Sequence, residues 1–506
     1  MSSITNDNKR IAKNTAVLYV RSIIMLLIGL YTSRVVLQVL GVEDFGIYNV
    51  VGGVVAMFSM LNAALSSASQ RFITFALGKG DDDEIKKVFS TCVSLHFLLG
   101  FIVVVLLEIA GVWFLNNKLS IPAERMDAAR WVLQFSIATF FVNVISVPYN
   151  ALITAHEKMS AFAYIGIMES VLRLGIVLIL PLFPLDRLLL YGVFQLAVSI
   201  IIRLVYTIYC KRKFREANRL NWKVDKPLFK EMFAFSGWNL LGNGSLVLRN
   251  QGVDILLNLF YGVTVNAAKG VSNQVQSAVH KLVGDFTTSI RPQLTKSIAV
   301  GDLKRAHSLM NNGSRYSFYL MMIFSIPIII TTPKLLDLWL TVVPDYSVDF
   351  VRLTMIYLLC DSLSRLLINA ILANGNIRNY QIVVAGVKLL AMPLVYVALK
   401  MGASALVGVW VNIILEIVCL GLRIRYSVTL LGFDAMAYIK QVILRCFVVF
   451  CAAFIPSVVF YKMVTDSFIL SGGVSLLVTG ESIWFIGLKE REREMALDYI
   501  RKRIRK

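Results

Sequence analysis

The sequence predicts an all-α membrane protein of about fourteen transmembrane helices, built as two parallel six-helix bundles followed by two further helices. Three observations carry this. The 506 residues are 57% hydrophobic and only 16% charged, with a mean hydropathy of +0.70, far from the roughly half-apolar, quarter-charged balance of a soluble domain. Apolar runs of about 20 residues, the length that crosses a hydrocarbon core of roughly 30 Å, recur along the whole chain. Two dipeptides also repeat at one fixed spacing.

The runs place spans at 14–38, 46–68, 88–114, 127–152, 161–183, 187–209, 231–258, 263–288, 308–331, 349–373, 379–399, 402–424, 441–463 and 467–488. The segments between them are too short for a separate soluble domain. Residues 1–13 are polar and basic, and the run after them lacks a short apolar core ending in a small-residue cleavage site, so it reads as a retained first span. The six cysteines are scattered, with no CxxC and no histidine at ligand spacing, which argues against a zinc site or a disulfide framework.

The net charge of +20 reads as orientation, not nucleic-acid binding, because the basic residues fall in alternate loops. One set holds Lys79, Lys86, Lys87, the run Lys211 to Lys230, Lys296, Lys304, Arg305, Arg423, Arg425 and the tail Lys489 to Lys506. The opposite set holds far fewer, among them Lys118, Arg187, Lys334, Lys400 and Lys462. The excess places both termini in the cytoplasm. The tail from 489 to 506 is basic enough to lie on anionic headgroups or to stay solvated.

Gly41-Val42 recurs as Gly262-Val263 and Gly80-Asp81 as Gly301-Asp302, both at an offset of 221 residues. Each copy carries a span, an arginine (Arg71 or Arg291) and then a short loop. This divides the chain into a first bundle 1–210, a basic linker 211–230, a second bundle 231–425, two extra helices within 440–488, and the tail. Six spans per copy make the repeats parallel, an arrangement that places substrate where the halves meet. The repeat also makes 263–288 a span despite Asn266, Lys269, Asn273, Gln274 and Gln276. Such a helix must line a wet cavity or a polar interface, since unsatisfied polar groups in hydrocarbon cost several kcal/mol.

The segment Val35 to Val54, with Leu40-Gly41, Phe45-Gly46 and Tyr48, the two six-span halves and the two C-terminal helices together resemble the MATE-like multidrug, oligosaccharidyl-lipid and polysaccharide exporter (MOP) superfamily. Within it they look most like the polysaccharide flippases of O-antigen and capsule pathways. The resemblance covers the whole chain. It implies two bundles around a central cavity that opens alternately to each side. The implied substrate is an undecaprenyl-pyrophosphate-linked oligosaccharide moved from the cytoplasmic to the periplasmic leaflet of a bacterial inner membrane. A polysaccharide polymerase and chain-length machinery are the implied partners. Asn266-Ala267 replace Phe45-Gly46 in the second copy, so the halves have diverged.

Ionisable residues inside spans are costly and mark function by default. Glu169 and Arg173 form an i,i+4 pair mid-span, and Asp361 and Arg365 repeat it one half later. Lys388 stands mid-span with no charge one turn away and needs a partner on another helix or an anion. Arg21 lies about 10 Å inside the first span. Arg249 and Asp254 lie in a stretch with four glycines, Gly237, Gly242, Gly244 and Gly252, whose density predicts a bend, and Lys269 lies on the polar eighth span. In the resembled family the first and seventh helices bend during gating. Arg34, Arg203, Glu108, Lys281 and Glu416, nearer span ends, read as interface anchors. Six of these nine candidates are basic, which suits a phosphate-bearing anion.

A MATE-type drug or cation antiporter is the alternative and would favour unpaired carboxylates. A membrane-embedded glycosyltransferase or polymerase would need a large periplasmic loop or a carboxylate cluster. No Walker A, HExxH or Ser-His-Asp arrangement survives the topology, so the chain reads as a transporter, not an enzyme. No cofactor is expected, and coupling to a Na+ or H+ gradient stays open.

Overall fold

The computed structural model describes residues 2–56, 58–117, 122–218, 225–340, 343–464, 467–490, 492–494 and 497. Among these the regular structure is helical throughout. The first half holds α1 (Ser2–Ala56), α2 (Ser59–Lys79), α3 (Asp82–Asn117), α4 (Met126–Ala155), α5 (Met159–Ile179) and α6 (Arg187–Lys213). The second holds α7 (Lys226–Ala299), α8 (Leu303–Trp339), α9 (Ser347–Asn374), α10 (Arg378–Leu389), α11 (Ala391–Lys400) and α12 (Val407–Leu431). A short α13 (Ala435–Tyr438), α14 (Arg445–Met463) and α15 (Phe468–Ser482) complete the chain.

The Gly-Asp repeat has a local cause. Gly80 takes φ 77° and Gly301 φ 75°, left-handed values that close a helix at little cost only for glycine. The aspartate after each opens the next helix: Asp81 Oδ1 accepts from the backbone N–H groups of Asp83 and Glu84 at 3.0 and 3.2 Å, and Asp302 Oδ1 from that of Arg305 at 3.0 Å. Subtracting the offset of 221 from α7 gives 5–78, the extent of α1 and α2 together. Subtracting it from α8 gives 82–118, the extent of α3.

Ten helices among the described residues are long and apolar enough to cross a membrane, at 82–113, 126–155, 159–182, 187–213, 303–339, 347–374, 378–400, 407–431, 435–463 and 468–487. The other four predicted spans fall within α1, α2 and α7, so the total of fourteen remains a sequence expectation. Two details differ from the sequence reading. The span placed at 46–68 crosses the junction between α1 and α2, while α1 itself breaks earlier, at Gly41, where φ is 78°. α7 is assigned as helix through all four glycines between 237 and 252, so the predicted bend does not interrupt its hydrogen-bonded pattern.

The chain divides into two units, Met1–Gly244 with Thr295–Gly301, and Ser245–Leu294 with Asp302–Lys506. In the first, α4 packs against α2, α3 and α6, and α1 against α5, around Leu65, Leu107, Leu133 and Val144. Arg125, just before α4, ties α1 to the start of α6 by ion pairs to Asp44 and Asp186. Asp186 caps α6 by accepting from the backbone of Leu188 and Leu189 at 2.9 and 3.1 Å. Partial burial alone raises the Asp186 carboxyl, but the hydrogen bonds from Arg125 and the backbone outweigh it and hold the group below the usual carboxylate range.

In the second unit, Val253 and Leu257 of α7 join Phe350 of α9, Val395 of α11 and Val409 of α12 in one core. α14 and α15 pack on α8, where the Tyr319 hydroxyl donates to the Gly487 carbonyl at 3.1 Å and Arg315 pairs with Glu492. Outward faces stay apolar: Phe101, Ile109, Ile201 and Leu204 are exposed, as lipid requires and water would penalise. Most of the tail 489–506, and residues 219–224 of the linker, lie outside the described residues.

Candidate functional site

In the first unit, three predicted site residues come together along α5. Arg173 donates through Nε and Nη2 to Glu169 Oε1 at 3.0 and 2.8 Å, and through Nη1 to Gln195 Oε1 of α6. The guanidinium of Arg21 lies 4.2 Å from the centre of the Phe162 ring. Gly166 makes room for it, since a Cβ there would stand 2.7 Å from Arg21 Nε. Arg21 therefore packs against the first two turns of α5.

The second unit holds a polar cavity of about 370 Å³. α7 supplies Arg249, Asp254, Lys269, Asn273, Gln276 and His280, and α9 and α12 close it with Tyr357, Thr354 and Asn412. Positions 269, 273, 276 and 280 advance by four, three and four, so they share one helix face. Lys269, Asn273 and Gln276, predicted to avoid lipid, thus find a polar environment, whereas Gln274, predicted to do the same, is exposed and does not line the cavity. The Asn266 side chain lies outside the described residues.

Arg249 is 3% exposed. Its Nη2 donates to the Tyr357 hydroxyl and to Asn250 Oδ1, each at 3.2 Å. Its Nη1 has no hydrogen-bond partner among the described residues. Lys269 Nζ lies 5.8 Å from the centre of the Phe350 ring. At the far end of the polar face, His280 Nε2 stands 4.0 Å from Asp361 Oδ2, which accepts from Arg365 at 2.6 Å. The predicted Asp361–Arg365 pair forms and adjoins the cavity through His280.

Lys388 of α10 is buried and makes no hydrogen bond or ion pair among the described residues. Its charged neighbours are Glu416, Arg423 and Arg249. The Glu416 and Arg423 side chains form an ion pair, each 1% exposed. This corrects two sequence expectations: Glu416 is not an interface anchor and Arg423 is not a cytoplasmic loop charge. Both lie inside α12, which runs seven residues past the predicted span end, and seven residues separate them on one face.

The sequence profile of the polysaccharide biosynthesis protein family matches residues 11–332, well over half of the chain. The chain belongs to this family. An uncharacterized membrane protein of Bacillus subtilis (strain 168), EpsK, is 21% identical over 301 residues, which span 58% of each chain. Among solved structures, an outward-facing MATE family multidrug resistance transporter of the MOP superfamily superposes with a TM-score of 0.72 at 13% identity, covering 83% of this chain and 96% of that one. A Vibrio cholerae MATE transporter, VcmN, in an Asp-to-Asn variant gives 0.70 at 14%, over 86% and 99%. A MOP superfamily transporter from Pyrococcus furiosus, described as having a binding pocket of reverse polarity, gives 0.68 at 13%, over 82% and 96%. This polysaccharide biosynthesis protein thus has the fold of the MOP transporters.

Sequence reasoning about this family member missed His280, Tyr357 and Asn412 in the cavity wall, and the Glu416–Arg423 pair beside it. The spacing from Lys269 to His280 carried the signal for the histidine. Nothing local marked Tyr357 or Asn412, whose place depends on how α9 and α12 pack against α7.

Proposed function

We propose that this protein moves an undecaprenyl-pyrophosphate-linked oligosaccharide, a repeat unit of O-antigen, capsule or exopolysaccharide, from the cytoplasmic to the periplasmic leaflet of a bacterial inner membrane by alternating access. Both termini then face the cytoplasm. The observation that carries this reading is the Arg249 guanidinium, buried at the wall of a polar cavity with one nitrogen unmatched among the described residues. Planar, always charged and weakly hydrated, a guanidinium suits phosphate oxygens. Around it the buried cations Lys388 and Arg423 and the half-buried Lys269 and Arg365 outnumber the carboxylates Asp254, Asp361 and Glu416, and the amides and hydroxyls of the cavity suit sugar. In the first unit, Arg21 and Arg173 against Glu169 repeat the cationic bias.

The carboxylates also weigh against a drug or cation antiporter. Asp361 and Glu416 are committed to Arg365 and Arg423, and Asp254 lies within electrostatic reach of Lys269. Two of the three carboxylates are thus neutralised by arginines, and the third shares its cavity with Lys269 and Arg249.

The test is the lipid extract of cells lacking the protein, with wild-type and Lys388→Ala complementation. The reading predicts that a complete lipid-linked repeat unit accumulates and that only the wild type clears it. Unchanged lipid intermediates together with raised drug sensitivity would overturn it in favour of antiport.

A further inference from the structure

Within the second unit, α12 carries a carboxylate one turn past the cavity. Asn412 lines the cavity, and Glu416 lies four residues on, about 6 Å further along the same helix face. The Glu416 side chain is 1% exposed and pairs through Oε1 with Arg423, while its buried Oε2 accepts no hydrogen bond among the described residues. Two buried cations stand within electrostatic reach of this carboxylate, Arg249 of α7 and Lys388 of α10. Neither is fully matched among the described residues. Arg249 Nη1 has no hydrogen-bond partner, and Lys388 makes no hydrogen bond or ion pair. One unmatched acceptor thus sits among unmatched donors, all of them buried.

The charges around it do not balance. Asp361, also within reach of Arg249, accepts from Arg365 at 2.6 Å, and Asp254 lies within reach of Lys269, so each of those couples is neutral. Arg249, Lys388 and Arg423 share Glu416, and the cluster keeps an excess of positive charge in a place where uncompensated charge is costly. A pyrophosphate diester carries the complementary charge.

We infer that Glu416 is a built-in stand-in for the substrate's pyrophosphate. Between transport events its free oxygen serves Arg249 and Lys388 as their counter-anion; an arriving pyrophosphate takes over the two cations, and the carboxylate reclaims them as the substrate leaves. The inference rests on the transport reading above and assigns Glu416 a positioning role, exercised through Arg249 and Lys388. A resident carboxylate lowers the affinity of the site, because the substrate replaces an existing interaction instead of finding bare cations. Such moderation is what passage requires, since a site must bind well enough to admit its cargo and weakly enough to release it.

The probe is inorganic pyrophosphate, titrated calorimetrically into the purified full-length protein in detergent, and the signal is the binding that Arg249→Ala removes. Glu416→Gln keeps an acceptor for Arg423 but not the charge. It should bind the probe about tenfold more tightly than wild type, equivalent to about 1.4 kcal/mol, and should clear the lipid-linked intermediate more slowly in complemented cells. Glu416→Asp should return the affinity to the wild-type value. Because stranding Arg423 strains folding, Glu416→Gln/Arg423→Gln repeats the measurement with the pair neutral. Glu416 is seven residues nearer to Asn412 than Arg423 is, so this variant should also bind more tightly. A merely structural pair would change stability and leave affinity alone. Unchanged or weaker binding in either variant, or tighter binding with undiminished clearance, would overturn the stand-in role. A signal that Arg249→Ala abolishes upholds the anion reading even then, whereas no binding by wild type or any variant would overturn both.

Discussion

Arg249 reaches across the cavity wall to the Tyr357 hydroxyl at 3.2 Å, and this bond aims its guanidinium while leaving Nη1 unmatched among the described residues. Arg315, Arg365 and Arg423 also keep unmatched nitrogens, but each is committed to an ion pair; Arg249 carries its unmatched donor, which costs about 1–3 kcal/mol when buried, at the wall of a polar cavity. The arrangement makes sense if an anion completes it during transport.

Replacing Arg249 by alanine should therefore reduce clearance of the lipid-linked intermediate by about tenfold or more, the equivalent of one charge-assisted hydrogen bond, with membrane insertion intact. Lysine should restore it only in part, since an ammonium lacks the planar fork. Tyr357→Phe should give a smaller loss through misorientation. Quantifying the intermediate in extracts of complemented cells separates the three.

The Asp361–Arg365 pair is partly shielded, its side chains 16% and 14% exposed. Arg365→Ala should destabilise the protein by about 3–5 kcal/mol, because it strands a carboxylate in a low-dielectric site. The double variant Asp361→Ala/Arg365→Ala should recover much of that loss. Thermal unfolding in detergent reads both.

The same logic applies to Glu416 and Arg423, with a sharper contrast to the sequence expectation. An interface anchor would tolerate Glu416→Ala with little change. A fully buried pair predicts a loss of about 3–5 kcal/mol on removing one partner, again relieved when Arg423 is replaced as well.

What the sequence disclosed and withheld follows from how far each signal reaches. Span positions from 82 to 213 and from 303 to 487 were legible because each is a local sum of apolar side chains, and the Gly-Asp repeat because a left-handed glycine and a capping aspartate act within one turn. The i,i+4 pairs Glu169–Arg173 and Asp361–Arg365 were legible for the same reason. The Glu416–Arg423 pair was not, since it spans seven residues and its burial depends on α10 and α9 covering α12. The junction of α1 and α2 inside an apolar run carried no composition signal at all.

Gly252 tests the packing behind the cavity. A Cβ there would fall 2.5 Å from Met392 Cε, so Gly252→Leu should cost about 1–3 kcal/mol by overpacking and disturb the adjacent Arg249 and Asp254. Adding Met392→Ala should return most of the stability, measured by the same unfolding assay.

Asp186 gives a pH dependence outside the membrane. Its carboxyl is held below the usual range by Arg125 and the α6 backbone, so it stabilises the fold at pH above about 4, the unfolded-chain value. That contribution is lost as pH falls through the lower folded value. Asp186→Asn should therefore lower stability near neutrality and flatten the acid limb of the stability profile below about pH 4.

The central claim is tested most directly with purified protein in liposomes carrying an undecaprenyl-pyrophosphate oligosaccharide, following how much becomes accessible to a membrane-impermeant sugar-oxidising reagent. The account predicts that wild-type protein brings inner-leaflet substrate within reach of the reagent while Arg249→Ala and Lys388→Ala leave it protected. Protection equal to that of empty liposomes with wild-type protein, or full accessibility with both variants, would contradict it.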